Sequence, residues 1–421
     1  MREREILHCD INYCYAQIEE NRQPQLKRVP LAVGGSAQER RGIILAKNPL
    51  AAQSGVKTGE TLQEALGKCP SLHIVPPDFD RYRWYGEQVK KLYRGYSDQV
   101  EDYGLDEAWL DVTGCRRLWG SGWQIAHQIQ RQVEKQIGLT ISVGLSYNKV
   151  FAKMASDLIK PKGLVQITRQ NFQQVLYPLP VSHLFYVGEA TRRKLAVYGI
   201  RTIGDLARQD EEKMRQRFGR TGVMLLCFAR GEEDSGVASG DAPTPVCSIG
   251  HSITAIHDLH DAAQAVLVLR PLAEAVALRL RRQNKKGYGI ALSLRDGQLR
   301  RWSLRRKRPR PTQLAIEILQ EAQALLERGW SSGQPLRSLG ISVFDLVDED
   351  SEEQLSLFED ETARQKQRKL EETIDLIRER FGYHRIRHCD LLLDEALTGF
   401  NPLDSTVHPT GWRKRAEGKQ K

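Results

Sequence analysis

The stretch Gly104-Leu105-Asp106-Glu107-Ala108-Trp109-Leu110-Asp111 constrains this chain more than any other. Two adjacent carboxylates open a strand-like run whose next three residues are apolar, so the run must enter a core while its acids stay near the rim. Desolvating two like charges side by side is costly unless a cation stands beside them. A third acid closes another short apolar run, Ile6-Leu7-His8-Cys9-Asp10-Ile11. If the fold brings Asp10 to Asp106 and Glu107, the three form a site for Mg²⁺, which takes a few carboxylates and completes its shell with water and substrate phosphate. Two such ions about 3.5–4 Å apart stabilise both the attacking and the leaving oxygen of phosphoryl transfer. A bare Asp-Glu pair is more often two turn acids capping an edge strand, so the pair has to be read with its surroundings.

Those surroundings are three motifs in one order: His8-Cys9-Asp10-Ile11-Asn12-Tyr13-Cys14-Tyr15-Ala16, then Gly104 to Asp111, then Ser146-Tyr147-Asn148-Lys149-Val150-Phe151-Ala152-Lys153. Together they resemble the Y-family translesion DNA polymerases of the bacterial polymerase IV (ImpB/MucB/SamB-like) kind, from about residue 5 to about residue 358. The resemblance implies an α+β, multidomain right hand. Its palm is residues 1–27 and 78–165, its fingers 28–77, and its thumb, with a helix-hairpin-helix, 166–233. A linker (234–245), a β-α-β-β-α-β little finger (246–346), an acidic segment (347–362) and an extension (363–421) follow.

The resemblance also implies roles. Asp10, Asp106 and Glu107 are catalytic and hold two Mg²⁺ with the backbone carbonyl of Ile11. The amides of Tyr13 and Cys14 hold the triphosphate at a helix start, Tyr15 is the steric gate against a 2′-OH, and Lys160 meets the triphosphate. Read without the family, Tyr15 is a core aromatic and a lone lysine belongs to solvent. Relatives commonly carry a Tyr and an Arg on the triphosphate where this chain has Pro49 and Ala52, and Lys47 is the neighbouring cation able to replace them. Ile43 and Leu45 fall over the nascent base pair, as a lower roof than in many relatives. Gly104 stands where relatives often have Ser, and Asp111 reads as structural.

Length and composition fit this. A chain of 421 residues holds two to four domains. With 40% hydrophobic and 28% charged residues, no apolar run near the roughly 18 residues of a membrane span, and a charged start at Met1-Arg2-Glu3-Arg4-Glu5, the expectation is a cytoplasmic protein without membrane contact. Seven scattered cysteines without C-x-x-C spacing read as reduced thiols. A net charge of +10 favours a polyanionic partner, a property shared with ribosomal, membrane-surface and nuclease chains.

Along the chain, helices are expected over Tyr82 to Tyr93 and Trp123 to Ile137, both on one face of the palm sheet. Lys149 and Lys153, four apart on one helix face, are expected to serve DNA or solvent. Gly188 and Gly199 allow tight turns whose amides hold DNA phosphates, although an αα-hairpin in a helical bundle explains the glycines as well. In the little finger, Arg279 to Arg310 carries thirteen Lys and Arg against the single acid Asp296. Arg300, Arg301, Arg305 and Arg306 are taken from it as DNA contacts.

Beyond this, Gln354-Leu355-Ser356-Leu357-Phe358 interrupts an acidic segment and resembles the bacterial sliding-clamp motif. Residues 363–380 read as a charged helix with Leu370, Ile374, Leu376 and Ile377 as its apolar positions. The expected partners are primer-template DNA, deoxynucleoside triphosphates and the clamp, for a monomeric, low-fidelity polymerase without proofreading. Two rivals are a silent scaffold, which would lack the three acids, and a helix-hairpin-helix lyase, for which Lys194 and Asp205 would be the nucleophile and its partner.

Overall fold

The computed structural model describes residues 3–35, 42–239, 246–331, 334–353 and 361–402. The expected clamp motif at 354–358, much of the linker and the basic tail beyond 402 lie outside the described residues. Two compact units divide the chain, one made chiefly of Met1–Gly35 and Ile43–Ala242, the other of Pro243–Thr406.

The first unit is organised by strand β1 (Ile6–Ile11), whose six residues are all buried. Two short strands, β2 (Leu31–Gly34) and β3 (Ile44–Lys47), pair with β4 (His73–Val75) in a three-stranded fingers sheet of order β3-β2-β4. The palm sheet adds β5 (Val100–Tyr103), β6 (Glu107–Asp111), β7 (Ile141–Ser146) and β8 (Leu164–Gln166) in the order β5-β6-β1-β7-β8. Strand alternation sends Leu7, Cys9, Ile11, Ala108 and Leu110 into a core with Tyr82, Val89 and Tyr93 of helix Phe79–Arg94 and Ile125, Ile129 and Val133 of helix Gly122–Ile137. Ile6 and Trp109 point the other way, onto Ala152 of helix Lys149–Leu158.

Helices therefore cover both faces of the palm, not one as expected. A central strand buried on both faces requires it. The approach of helix Lys149–Leu158 is set by Gly144 on β7, where a Cβ would stand 2.0 Å from the Ala152 carbonyl oxygen and 2.5 Å from the Ser156 nitrogen. Both obstacles are backbone, so Gly144→Ala is expected to cost about 3 kcal/mol, the upper end of overpacking. Urea unfolding measures it.

In the thumb, Gly188 caps helix Glu189–Val197, Gly199 (φ +76°) turns the chain, and Thr202 and Asp205 form a capping box on helix Ile203–Ala207. Asp205 thus serves as a helix cap, accepting the Thr202 and Arg201 amides and facing Arg208, which leaves the lyase reading without its acid.

The second unit has the expected β-α-β-β-α-β order. Its strands are β9 (Ser248–Leu259), β10 (Lys285–Asp296), β11 (Arg301–Thr312) and β12 (Leu336–Asp348), with helices Ala262–Arg282 and Ala315–Gly329 packed on one face of a sheet ordered β11-β10-β12-β9. Strand β11 spans twelve residues, through the arginine-rich run to Thr312. It is an edge strand, so Pro309 and Pro311 are tolerated there.

The extension forms helix Glu361–Phe381, but its inward face is not the apolar one. Leu370 and Leu376 are exposed, whereas Glu371 and Arg378 are buried. Arg281 holds Glu371 at 2.9 Å and Asp375 at 2.6 Å, Arg378 holds Glu274 at 3.0 Å, and Arg364 bridges Glu317 and Glu353. The arginine-rich segment was read against its only sequence-local acid; the fold supplies the others.

Candidate active site

Strand register builds the carboxylate site. Asp10 lies directly across from Glu107 on the antiparallel β1–β6 pair, and the Ile11 amide donates to the Asp106 carbonyl at 3.0 Å. Burial pushes the Asp106 carboxyl up to about 7, and the charges of Asp10 and Glu107 push the same way. Asp10 is also raised by burial, against the pull of Lys160. For Glu107, burial acts upward, but the hydrogen bonds and charge of His8 and Lys153 outweigh it and hold the carboxyl low, at about 2. At Asp106 the charge of Lys90 opposes the upward shift without cancelling it.

Three lysines pair with acids in and around the site. Lys160 meets Asp10 Oδ2 at 2.5 Å and Asp157 at 2.8 Å. Lys153, expected in DNA or solvent, meets Glu107 Oε2 at 2.5 Å, and Lys149 meets Glu101 at 2.7 Å. Their helix packs on the acid-bearing face of the sheet, a tertiary fact that a four-residue spacing does not contain. Lys90 was missed altogether: it is buried and donates to the Gly104 carbonyl at 2.6 Å. Gly104 adopts φ +71°, which accounts for glycine there. Opposite it, a Cβ on Gly86 would lie 2.4 Å from the Leu105 carbonyl, so the turn that presents Asp106 is clamped from below. Asp111 accepts the Thr113 amide, a structural role as expected.

The nucleotide end starts at Tyr13, which enters helix Cys14–Arg22 with φ +36° and no side-chain cap. The Tyr13 and Cys14 amides find no acceptor among the described residues, as first-turn donors of a helix do. A network missed in the sequence holds this turn: Asn12 binds Thr140 Oγ1 at 3.1 Å and Ser142 Oγ at 2.8 Å, and Gln17 binds the Asn12 carbonyl at 2.6 Å. Tyr15 stacks on Tyr82 at 4.3 Å and meets Phe79 edge-on. On β3, Leu45 and Lys47 alternate away from buried Ile44 and Ala46, with exposed Ile43 just before them; Lys47 Nζ is 3.4 Å from Thr58 Oγ1. Pro49 and Ala52 belong to helix Pro49–Gln53, capped by Asn48.

On the second unit, register pairs Arg301 with Arg295, Ser303 with Ser293 and Arg305 with Ala291 on the sheet face opposite the helices. Gly340 and Ser342 of β12 and Gly250 and Ser252 of β9 continue that face with small residues. Among the described residues Arg301 and Arg305 have no carboxylate within 4 Å. Arg300, by contrast, holds Asp296 at 2.7 Å and Arg306 reaches Glu321 at 3.5 Å. Arg337, missed in the sequence, joins Arg295 and Arg301 as a third like charge.

The profile of the impB/mucB/samB family matches residues 9–157, and that of its C-terminal domain residues 247–357. The chain belongs to the impB/mucB/samB family. It is 41% identical to a DNA polymerase IV of Acetivibrio thermocellus over 94% of this chain and 99% of that protein. It is 36% identical to the DNA polymerase IV of Moorella thermoacetica, over 91% and 94%. In structure it resembles a Y-family DNA polymerase chimera of Dbh and Dpo4, with TM-score 0.72 and 23% identity over 82% of this chain and 99% of that one. An insertion ternary complex of Dbh DNA polymerase matches with TM-score 0.54.

Membership of the impB/mucB/samB family implies metal dependence, and the donor set fits. Asp10 and Glu107 face each other across one strand pair, and half-buried Asp106 adjoins it, with both their charges and the opposing charge of Lys90 acting on it. Among the described residues no three His, Cys, Asp or Glu side chains are gathered as a ready metal site, because Lys160 and Lys153 draw Asp10 and Glu107 onto themselves. Among the described residues no helix is long and apolar enough to cross a membrane.

Proposed function

We propose that Asp10, Asp106 and Glu107, with the Ile11 carbonyl, hold two Mg²⁺ ions for nucleotidyl transfer. The impB/mucB/samB membership makes the chain a DNA-directed DNA polymerase of the translesion type. The observation that carries the site is the facing of Asp10 and Glu107 across β1–β6 beside an Asp106 whose carboxyl burial and these two like charges push upward. Bound there, the ions supply Lewis-acid activation and charge neutralisation for in-line displacement. The protein's part is placement. The Tyr13 and Cys14 amides and Lys47 receive phosphates, Lys160 leaves Asp10 for the departing pyrophosphate, and Tyr15 excludes a 2′-OH. Ile43 and Leu45 roof the base pair. Fidelity then rests on this pocket, without proofreading. Primer extension tests the reading: full activity in Mg²⁺ and none in chelator is expected, and activity in chelator overturns it.

The small-residue face of the second unit, edged by Arg301 and Arg305, receives the duplex backbone, and in the first unit the amides about Gly188 and Gly199 receive DNA phosphates. The double change Arg301→Ala, Arg305→Ala is expected to lower the slope of log affinity against log salt by about 1.8, since each neutralised phosphate contributes about 0.9. Arg306→Ala, whose charge already faces Glu321, is expected to leave that slope almost unchanged. Fluorescence anisotropy across a salt series reads both. Gln354 to Phe358 serves as the docking peptide for the sliding clamp, which supplies the apolar pocket such a peptide lacks in its own chain.

A further inference from the structure

Glu107 is held by one of its two oxygens. Lys153 Nζ lies 2.5 Å from Oε2, and His8 Nε2 lies 3.1 Å from the same atom. Both donors are themselves fixed. His8 is fully buried, and its ring meets Trp109 edge-on at 5.1 Å. Because a carboxylate only accepts, Nε2 carries a proton towards Glu107, and Nδ1 lies 2.8 Å from the Ser156 Oγ, whose own proton is donated to the Lys153 carbonyl at 2.7 Å. Lys153 is mostly buried, with its ammonium 5.7 Å from the centres of both the Tyr103 and the Phe185 ring. Lys160 differs: its side chain is 38% exposed and shared with exposed Asp157, so it is free to exchange Asp10 for another anion.

We infer that Lys153 is a permanent positioning residue for Glu107, acting with His8, and that it stays in place when metal binds. By occupying Oε2 it leaves Oε1 to face the cation site and fixes the carboxylate plane. Divalent ions meet one pre-set oxygen in place of a freely rotating carboxylate. The inference rests on the proposed two-metal site. Its alternative is that Lys153 merely offsets charge, in which case removing it makes the site more negative and tightens metal binding.

The two differ in sign. Mn²⁺ binding is measured by electron paramagnetic resonance on the full chain with a dideoxy-terminated primer-template and incoming nucleotide, so that no turnover occurs. Lys153→Met is expected to weaken Mn²⁺ binding on the order of tenfold, within the 10–100-fold range of such supporting residues. Lys153→Arg is expected to recover most of it. Lys149→Met removes the same charge from the same helix, where it pairs with Glu101, and is expected to bind Mn²⁺ as the parent does. In steady-state insertion the Mg²⁺ requirement of Lys153→Met rises, with the nucleotide KM within about twofold of the parent. Unchanged or tighter Mn²⁺ binding in Lys153→Met, or equal weakening in Lys149→Met, overturns the inference. Failure of the parent itself to bind Mn²⁺ overturns the two-metal reading.

Discussion

Asp106→Asn is expected to abolish nucleotide insertion and at the same time to make the metal-free protein more stable. The loss follows from the proposed role of Asp106 as a metal-binding charge at the reacting centre, where single electrostatic groups are worth on the order of 10³-fold. Quenched-flow insertion with saturating Mg²⁺ measures it, and DNA affinity is unchanged because the duplex face lies elsewhere in the chain. The gain follows from burial. A folded carboxyl raised from 3.8 to about 7 takes up a proton on folding, so its share of stability is fully present below about pH 4 and is lost as pH rises through 7. Above that pH the ionised Asp106, only partly offset by Lys90, costs up to about 4 kcal/mol, and relaxation of the site reduces the observed figure. In chelator the variant should therefore melt above the parent at pH 8, with the gap closing towards pH 4. Mg²⁺ should narrow it from the other side by stabilising only the parent. A variant that melts below the parent at pH 8 would show that the three acids are not crowded.

Tyr15→Ala is expected to admit ribonucleotides, raising their insertion relative to deoxyribonucleotides by on the order of 10²-fold, the scale at which a pocket wall discriminates a hydroxyl. The ring excludes only because it cannot retreat. Tyr82 stacks on it at an interplanar angle of 10°, and the Tyr82 hydroxyl is anchored to Glu19 at 2.9 Å. Tyr15→Phe keeps the ring in that stack and should keep the discrimination, which separates bulk from the phenol. Competition between matched ribo- and deoxyribonucleotide pairs on one template reads the ratio directly. Equal ratios in Tyr15→Ala and the parent would remove Tyr15 from its proposed role.

The chain alone singled out two acids at the head of an apolar run, and a third at the end of another, as a candidate cation site. The β-α-β-β-α-β order of the second unit was legible too, because periodicity and caps are local: the helix expected over Trp123 to Ile137 is found at Gly122–Ile137, capped by Ser121 with Gln124 three residues on. Only the tertiary structure decided which charges meet. Lys153 reaches Glu107 because Gly144 lets a helix close on β7. Arg281 and Arg310 are neutralised by Glu371 and Glu361, far along the chain, while the pleat alone separates Arg305 from Arg306. Hydrophobic patterning is written in neighbouring residues, whereas electrostatic partners are set by distance in space, and so the cations of this protein are the residues whose roles the sequence leaves open.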